Sequence, residues 1–142
     1  MLVDANLLLY AADDRSPQHA RAAGWLADAV AGPRRVGLPW SSLSAFLRVS
    51  TNPRASDAPL TPATAWAFVD ALLAHETVWM PAPTTRHADV FRDLMVRHGA
   101  TANLVPDVEL AALALQHGLT VCSADTDFAR FSEIRWENPL AA

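Results

Sequence analysis

The chain has 142 residues, 51% of them apolar and 18% charged. That suits one domain with a real core, and no window approaches the ~20 uninterrupted apolar residues of a transmembrane helix. Net charge is −4, and all eleven basic residues are Arg; the acidic pI of about 5.6 speaks against a general phosphate-binding surface. The lone Cys122, set in an apolar stretch, reads as a core thiol in a reducing compartment. No Lys or Arg stands before Arg15, so no secretory signal is read and a cytoplasmic location is expected.

Leu2 to Asp4 reads as a short strand, with Asp4 at its end, and Asn6 to Ala12 as a helix. Ser16-Pro17 predicts the start of a second helix with Ala23, Leu26, Ala27 and Val30 inward, closed by Gly32-Pro33. Arg35 to Trp40 is the next strand. Ser41 is expected to cap a helix whose stripe is Leu43, Phe46, Leu47 and Ser50. Thr61-Pro62 opens another, with Ala65, Val69, Leu72 and Leu73 buried. Thr77 to Met80 is a β-branched and aromatic run. A helix from Thr84 or Thr85 carries Ala88, Phe91 and Met95 inward and stops at Gly99.

The segment after Asp107 is apolar nearly all round, which predicts a deeply buried helix ending at His117-Gly118. Leu119 to Cys122 is a strand by composition, Asp125 to Phe131 a loop entering a helical turn, and Glu133 to Trp136 an edge strand. Strands alternating with helices give an α/β fold with a mainly parallel central sheet in one domain, 1–142. Trp40, Trp66 and Trp79 read as core side chains rather than stacking platforms for bases. The five histidines read as surface or helix-end residues.

Parallel sheets bind ligands outside the carboxyl ends of their strands, and the acidic residues are distributed accordingly. Asp4 ends the first strand, Asp125 and Asp127 follow the strand at Cys122, and Asp107 opens the helix that feeds it. Asp107 alone could be a helix cap, and Asp125 or Asp127 a turn residue or cap. Asp4 has no such local role in a strand. Gathered at one edge these carboxylates repel, so a divalent cation is the natural counter-ion, and hard oxygen ligands select Mg2+ or Mn2+ over zinc. Such an ion makes bound water more acidic and offsets charge on a phosphoryl group, which is phosphodiester hydrolysis chemistry. No acid lies between Asp28 and Asp57, whereas Arg34, Arg35, Arg48 and Arg54 do, so a locally cationic face is expected.

Three motifs then coincide in order and spacing. They are Leu2-Val3-Asp4-Ala5-Asn6, the Asp107 helix with Ala111-Ala112 and His117-Gly118, and Ser123-Ala124-Asp125-Thr126-Asp127-Phe128. Together they resemble the PIN-domain ribonucleases of the VapC toxin type, over nearly the whole chain. The resemblance implies a compact α/β fold, Mg2+- or Mn2+-dependent endoribonuclease activity, a homodimer, and a VapB-like antitoxin that blocks the site. It makes Asp4, Asp107 and Asp125 the first, third and fourth family acids, with Asn6 and Ser123 as supporting polar residues. Asp4, Asp107, Asp125 and Asp127 are the expected metal-holding set, and Arg48 and Arg54 the expected contacts to RNA phosphates.

One family acid is missing. The second is normally a Glu within a run like Glu-Phe-Leu-Arg, and here the run is Ala45-Phe46-Leu47-Arg48. Glu109, at i+2 from Asp107, points to nearly the opposite helix face, so Asp127 is the better replacement. An alternative is a catalytically weak or silent PIN-like protein that binds RNA or antitoxin. A phosphatase or receiver-type domain fits loosely, since the chain has no lysine for a receiver.

Overall fold

The computed structural model describes residues 1–141. It begins with β1 (Leu2–Val3), α1 (Ala5–Ala12), α2 (His19–Ala31) and β2 (Val36–Gly37). There follow α3 (Trp40–Ser50), α4 (Pro62–Leu73), β3 (Val78–Trp79), α5 (His87–His98) and α6 (Val105–His117). β4 (Thr120–Cys122) and β5 (Arg135–Glu137) complete the sheet, and 3-10 turns cover Ala102–Leu104 and Thr126–Arg130.

The five strands form one sheet in the order β3-β2-β1-β4-β5, and every neighbouring pair is parallel. The chain builds outward from β1 through β2 to β3, then returns to place β4 on the other side of β1. The reversal makes the gap beyond the carboxyl ends of β1 and β4 the topological switch point, where open α/β sheets bind ligands.

Side chains on β1 and β4 alternate between two cores, as a two-residue period requires. Val3 and Cys122 face the side of Leu7, Leu8, Leu26, Phe46 and Val69, whereas Leu2 and Val121 face that of Leu94, Val108, Ala111, Phe128 and Phe131. Cys122 is the buried thiol expected, and burial pushes its pKa up to about 11.

Several helix starts differ from expectation, each for a local reason. Ser16 caps nothing: its hydroxyl is taken up by Gln18, and α2 begins at His19 with Ala22, Leu26 and Val30 buried and Ala27 exposed. α3 begins at Trp40, directly after Pro39, so Ser41 lies inside the helix and is exposed. α5 starts at His87, and Leu94 is its buried residue while Ala88 is exposed. α6 starts at Val105 with Pro106 in its first turn, two residues before Asp107. Thr61 caps α4 as expected, accepting from Thr64 N at 3.1 Å. Trp40 and Trp66 are not core residues: they are 50% and 44% exposed.

Candidate active site

β1 ends at Val3, and Asp4 follows it rather than lying within the strand. Its backbone N–H donates to Cys122 O at 3.0 Å, extending the pairing with β4, while its carboxylate caps α1 by accepting from Ala5 N at 2.8 Å. Asp4 therefore has the local role that a strand position would have denied it. Its other oxygen, Oδ2, accepts from Ser123 Oγ at 2.7 Å and Asn6 Nδ2 at 3.3 Å. Burial raises its pKa, partly offset by the Ser123 and Ala5 hydrogen bonds, and repulsion from Asp125 raises it further.

Asn6 and Ser123 do what supporting residues must. Ser123 is fully buried, and its hydroxyl donates to Asp4 while accepting from Asn6 Nδ2 at 3.0 Å and from Asp125 N at 3.0 Å. That uses its one proton and both lone pairs. Asn6 Oδ1 accepts from Ala124 N at 3.3 Å. The turn after β4 is thus tied to the turn after β1 on both sides of the switch point. Trp136 on β5 adds a further pin, donating Nε1 to Ser123 O at 3.0 Å.

Asp107, Asp125 and Asp127 each offer a carboxylate oxygen within 4.8 Å of the others. Asp107 is not a cap: it sits in the first turn of α6, half-buried, and makes no side-chain hydrogen bond among the described residues. Burial, followed by repulsion from Asp125, Asp4 and Asp127, pushes its pKa up to about 7, with Arg130 a partial offset. Asp125 caps the 3-10 turn, accepting from Asp127 N at 2.9 Å, so the capping role falls to Asp125 and Asp127 is left to the cluster. Asp4 stands outside the trio, with its oxygens committed to Ala5, Asn6 and Ser123, yet close enough to raise Asp107.

An unpaired carboxylate aimed at two others is costly unless a cation joins them. The donor set is all oxygen, which fits Mg2+ or Mn2+. Arg130 lies 3.5 Å from Asp127, an exposed pair whose signal in the sequence is the i, i+3 spacing on a helical turn. Also missed was Ser42, buried in the first turn of α3, whose hydroxyl donates to Val3 O at 2.7 Å and fixes α3 against the residue before Asp4. A hydroxyl beside Leu43 in a buried stripe was the available signal. Arg48 and Arg54 are exposed, on the last turn of α3 and the loop beyond it, and neither takes an acidic partner among the described residues. Ala45 is half-buried on α3 and contributes no ligand.

Fold and site together define an all-parallel α/β domain with an acidic centre at its switch point. The chain belongs to the PIN-domain family, whose model matches residues 1–134. It is 40% identical to the ribonuclease VapC33 of Mycobacterium tuberculosis over 140 residues, covering 99% of this chain and 98% of that protein. To the ribonuclease VapC37 of the same organism it is 41% identical, covering 99% and 97%. Among solved structures, M. tuberculosis VapC20, described as a sarcin-ricin loop cleaving toxin, superposes with a TM-score of 0.69 at 18% identity, covering 94% and 98% of the two chains. VapBC-1 from nontypeable Haemophilus influenzae gives 0.69 at 14%, covering 99% and 98%. At those identities the structural likeness establishes the fold. Among the described residues no helix is long and apolar enough to cross a membrane.

Proposed function

We propose that the chain is an endoribonuclease toxin of a VapBC-type system, hydrolysing RNA phosphodiesters with Mg2+ or Mn2+ held by Asp107, Asp125 and Asp127 beside Asp4. The observation that carries this reading is the convergence of the three carboxylates within 4.8 Å at the switch point of the sheet. Full-length identity of about 40% to named ribonucleases supports the substrate class. The Ala45 gap does not weigh for a silent protein, because the acidic cluster assembles without a Glu there.

The residues divide the work by position. Asp107 and Asp125 provide negative charge from two separate elements, one from α6 and one from the turn after β4. Asn6 and Ser123 orient Asp4 and hold the Asp125 backbone, so the cluster does not have to be assembled when substrate arrives. Arg48 and Arg54 offer unpaired cations for phosphates of the RNA. A bound Mg2+ or Mn2+ supplies charge neutralisation at the phosphodiester and a more acidic water. A VapB-like antitoxin as inhibitor, and a homodimer as working unit, complete the proposal; solved relatives of this fold include toxin–antitoxin complexes.

The decisive experiment is cleavage of single-stranded RNA by the purified chain with Mg2+ or Mn2+, against EDTA and against Asp4→Asn. Metal-dependent cleavage that the variant loses supports the assignment. Equal cleavage by a folded Asp4→Asn protein sinks it.

A further inference from the structure

Trp40 and Trp66 carry more exposed surface than the other aromatic side chains of the described residues, at 50% and 44%. Their rings stack on each other across α3 and α4, with centroids 6.5 Å apart and planes 15° from parallel. Two large rings held in register in water are expensive to maintain without a partner.

Their place relates them to the acidic centre. Leu2 on β1 is in register with Gly37 on β2, and Trp40 leaves the sheet three residues later, at the same carboxyl edge from which Asp4 leaves β1. The Ser42 to Val3 hydrogen bond fixes this first turn of α3 to the residue before Asp4. Along α3, Trp40, Ser44 and Arg48 recur at i, i+4 and i+8 and are all exposed. Arg48 has no ion-pair partner among the described residues, and residues 29–56 contain no acid. Asp70, four residues after Trp66 on α4, is the exposed acid nearest the pair in sequence.

We infer that the Trp40–Trp66 pair is a stacking platform for unpaired bases of single-stranded RNA, with Arg48 taking an adjoining phosphate, so that the strand is led toward the acidic centre. The inference rests on the RNA-cleaving reading of that centre. Aromatic faces beside a free cation suit sequence-tolerant binding of single strands, since every base offers a π-face once it is unpaired. A second copy of the chain suits the surface less well. A two-fold contact centred on this face brings Arg48 of one protomer to a face whose α3 carries the same Arg48 and no carboxylate to pair with it.

The test is the affinity of the full chain, in EDTA so that nothing is cleaved, for a fluorescein-labelled ten-nucleotide single-stranded RNA of mixed sequence. Trp40→Ala and Trp66→Ala are each expected to raise Kd about tenfold with unchanged gel-filtration volume, Trp40→Phe to stay within about threefold of the parent, and the salt dependence to be unchanged. Arg48→Ala is expected to lower the salt slope instead. Trp66 is an exposed helix-interior position, so its variant keeps the test alive if Trp40→Ala misfolds. Kd within twofold of the parent in both Ala variants overturns the platform, as does any loss of affinity that comes with dissociation into smaller species. A chain that cleaves RNA while its Trp variants bind like the parent overturns the platform alone; absence of cleavage under all metal conditions overturns the underlying reading instead.

Discussion

Ser123 donates its hydroxyl to Asp4 at 2.7 Å across 119 residues of sequence, and the same oxygen accepts the Asp125 amide at 3.0 Å. One hydroxyl therefore holds two of the acidic residues in fixed relation. Ser123→Ala leaves the half-buried Asp4 Oδ2 with the longer Asn6 bond and frees the Asp125 amide. The expected loss is about 1 to 3 kcal/mol in urea unfolding. RNA cleavage is expected to fall further than stability, by about tenfold or more, because outer partners of metal ligands set their orientation.

Asp4→Asn separates fold from function. Asparagine keeps an acceptor for Ala5 N, so the cap on α1 survives, and the desolvation that raises the Asp4 pKa is removed. Stability at pH 7 is expected to stay within about 1 kcal/mol of the parent, since good caps of either type are worth a similar amount. Cleavage is expected to fall by about a hundredfold or more, exceeding the range seen for mere supporting residues. Circular dichroism melts alongside a cleavage assay check both halves.

What the sequence disclosed follows from the range of the forces involved. Strand and helix types were legible, because Ala65, Val69 and Leu72 carry a helical stripe and Leu2-Val3 a short continuous apolar run. The region was legible too, since the acids sit where parallel sheets place chemistry, but the grouping was not: Asp107, Asp125 and Asp127 converge while Asp4 stands beside them. Helix starts were less legible: Ser16 and Ser41 look like caps, yet Pro39 and Pro106 and the tertiary packing decided where α3 and α6 begin. The role of Asp107 changed for that reason, from a possible cap to a carboxylate with no local partner. Ser42 and Trp136 escaped notice because their partners, Val3 O and Ser123 O, are backbone atoms that no side-chain pattern reveals.

The pKa of Asp107 makes stability pH-dependent in a stated direction. It is raised from 3.8 to about 7 by burial and then by the neighbouring carboxylates, so between those values the folded state binds the proton that the unfolded state has lost. Stability therefore falls as pH rises through that window. In EDTA the Tm of the parent is expected to drop between pH 5 and pH 8 more than that of Asp107→Asn, which has no proton to lose there. Added Mn2+ is expected to restore the parent most at the upper end, where proton competition is weakest. Parallel pH profiles of Tm for the two proteins, with and without Mn2+, are the measurement.

Asp127 is expected to stand in for the acid that Ala45 does not provide, and metal affinity tests this against Glu109. Asp127 contributes an oxygen within 4.8 Å of those of Asp107 and Asp125, whereas Glu109, two residues along α6 from Asp107, is turned about 200° round the helix. Asp127→Asn removes one formal charge from the cluster. Its exposed pairing with Arg130 at 3.5 Å is worth little, so the fold is expected to lose less than about 1 kcal/mol. The backbone N–H that Asp127 donates to Asp125 is untouched by the substitution, so the turn keeps its shape. Mn2+ binding by calorimetry is therefore expected to weaken about tenfold in Asp127→Asn. In Glu109→Gln it should stay within about twofold, because the charge removed there projects from nearly the opposite face of α6 to Asp107. The opposite ranking would move the fourth acid of this centre from the turn after β4 to α6.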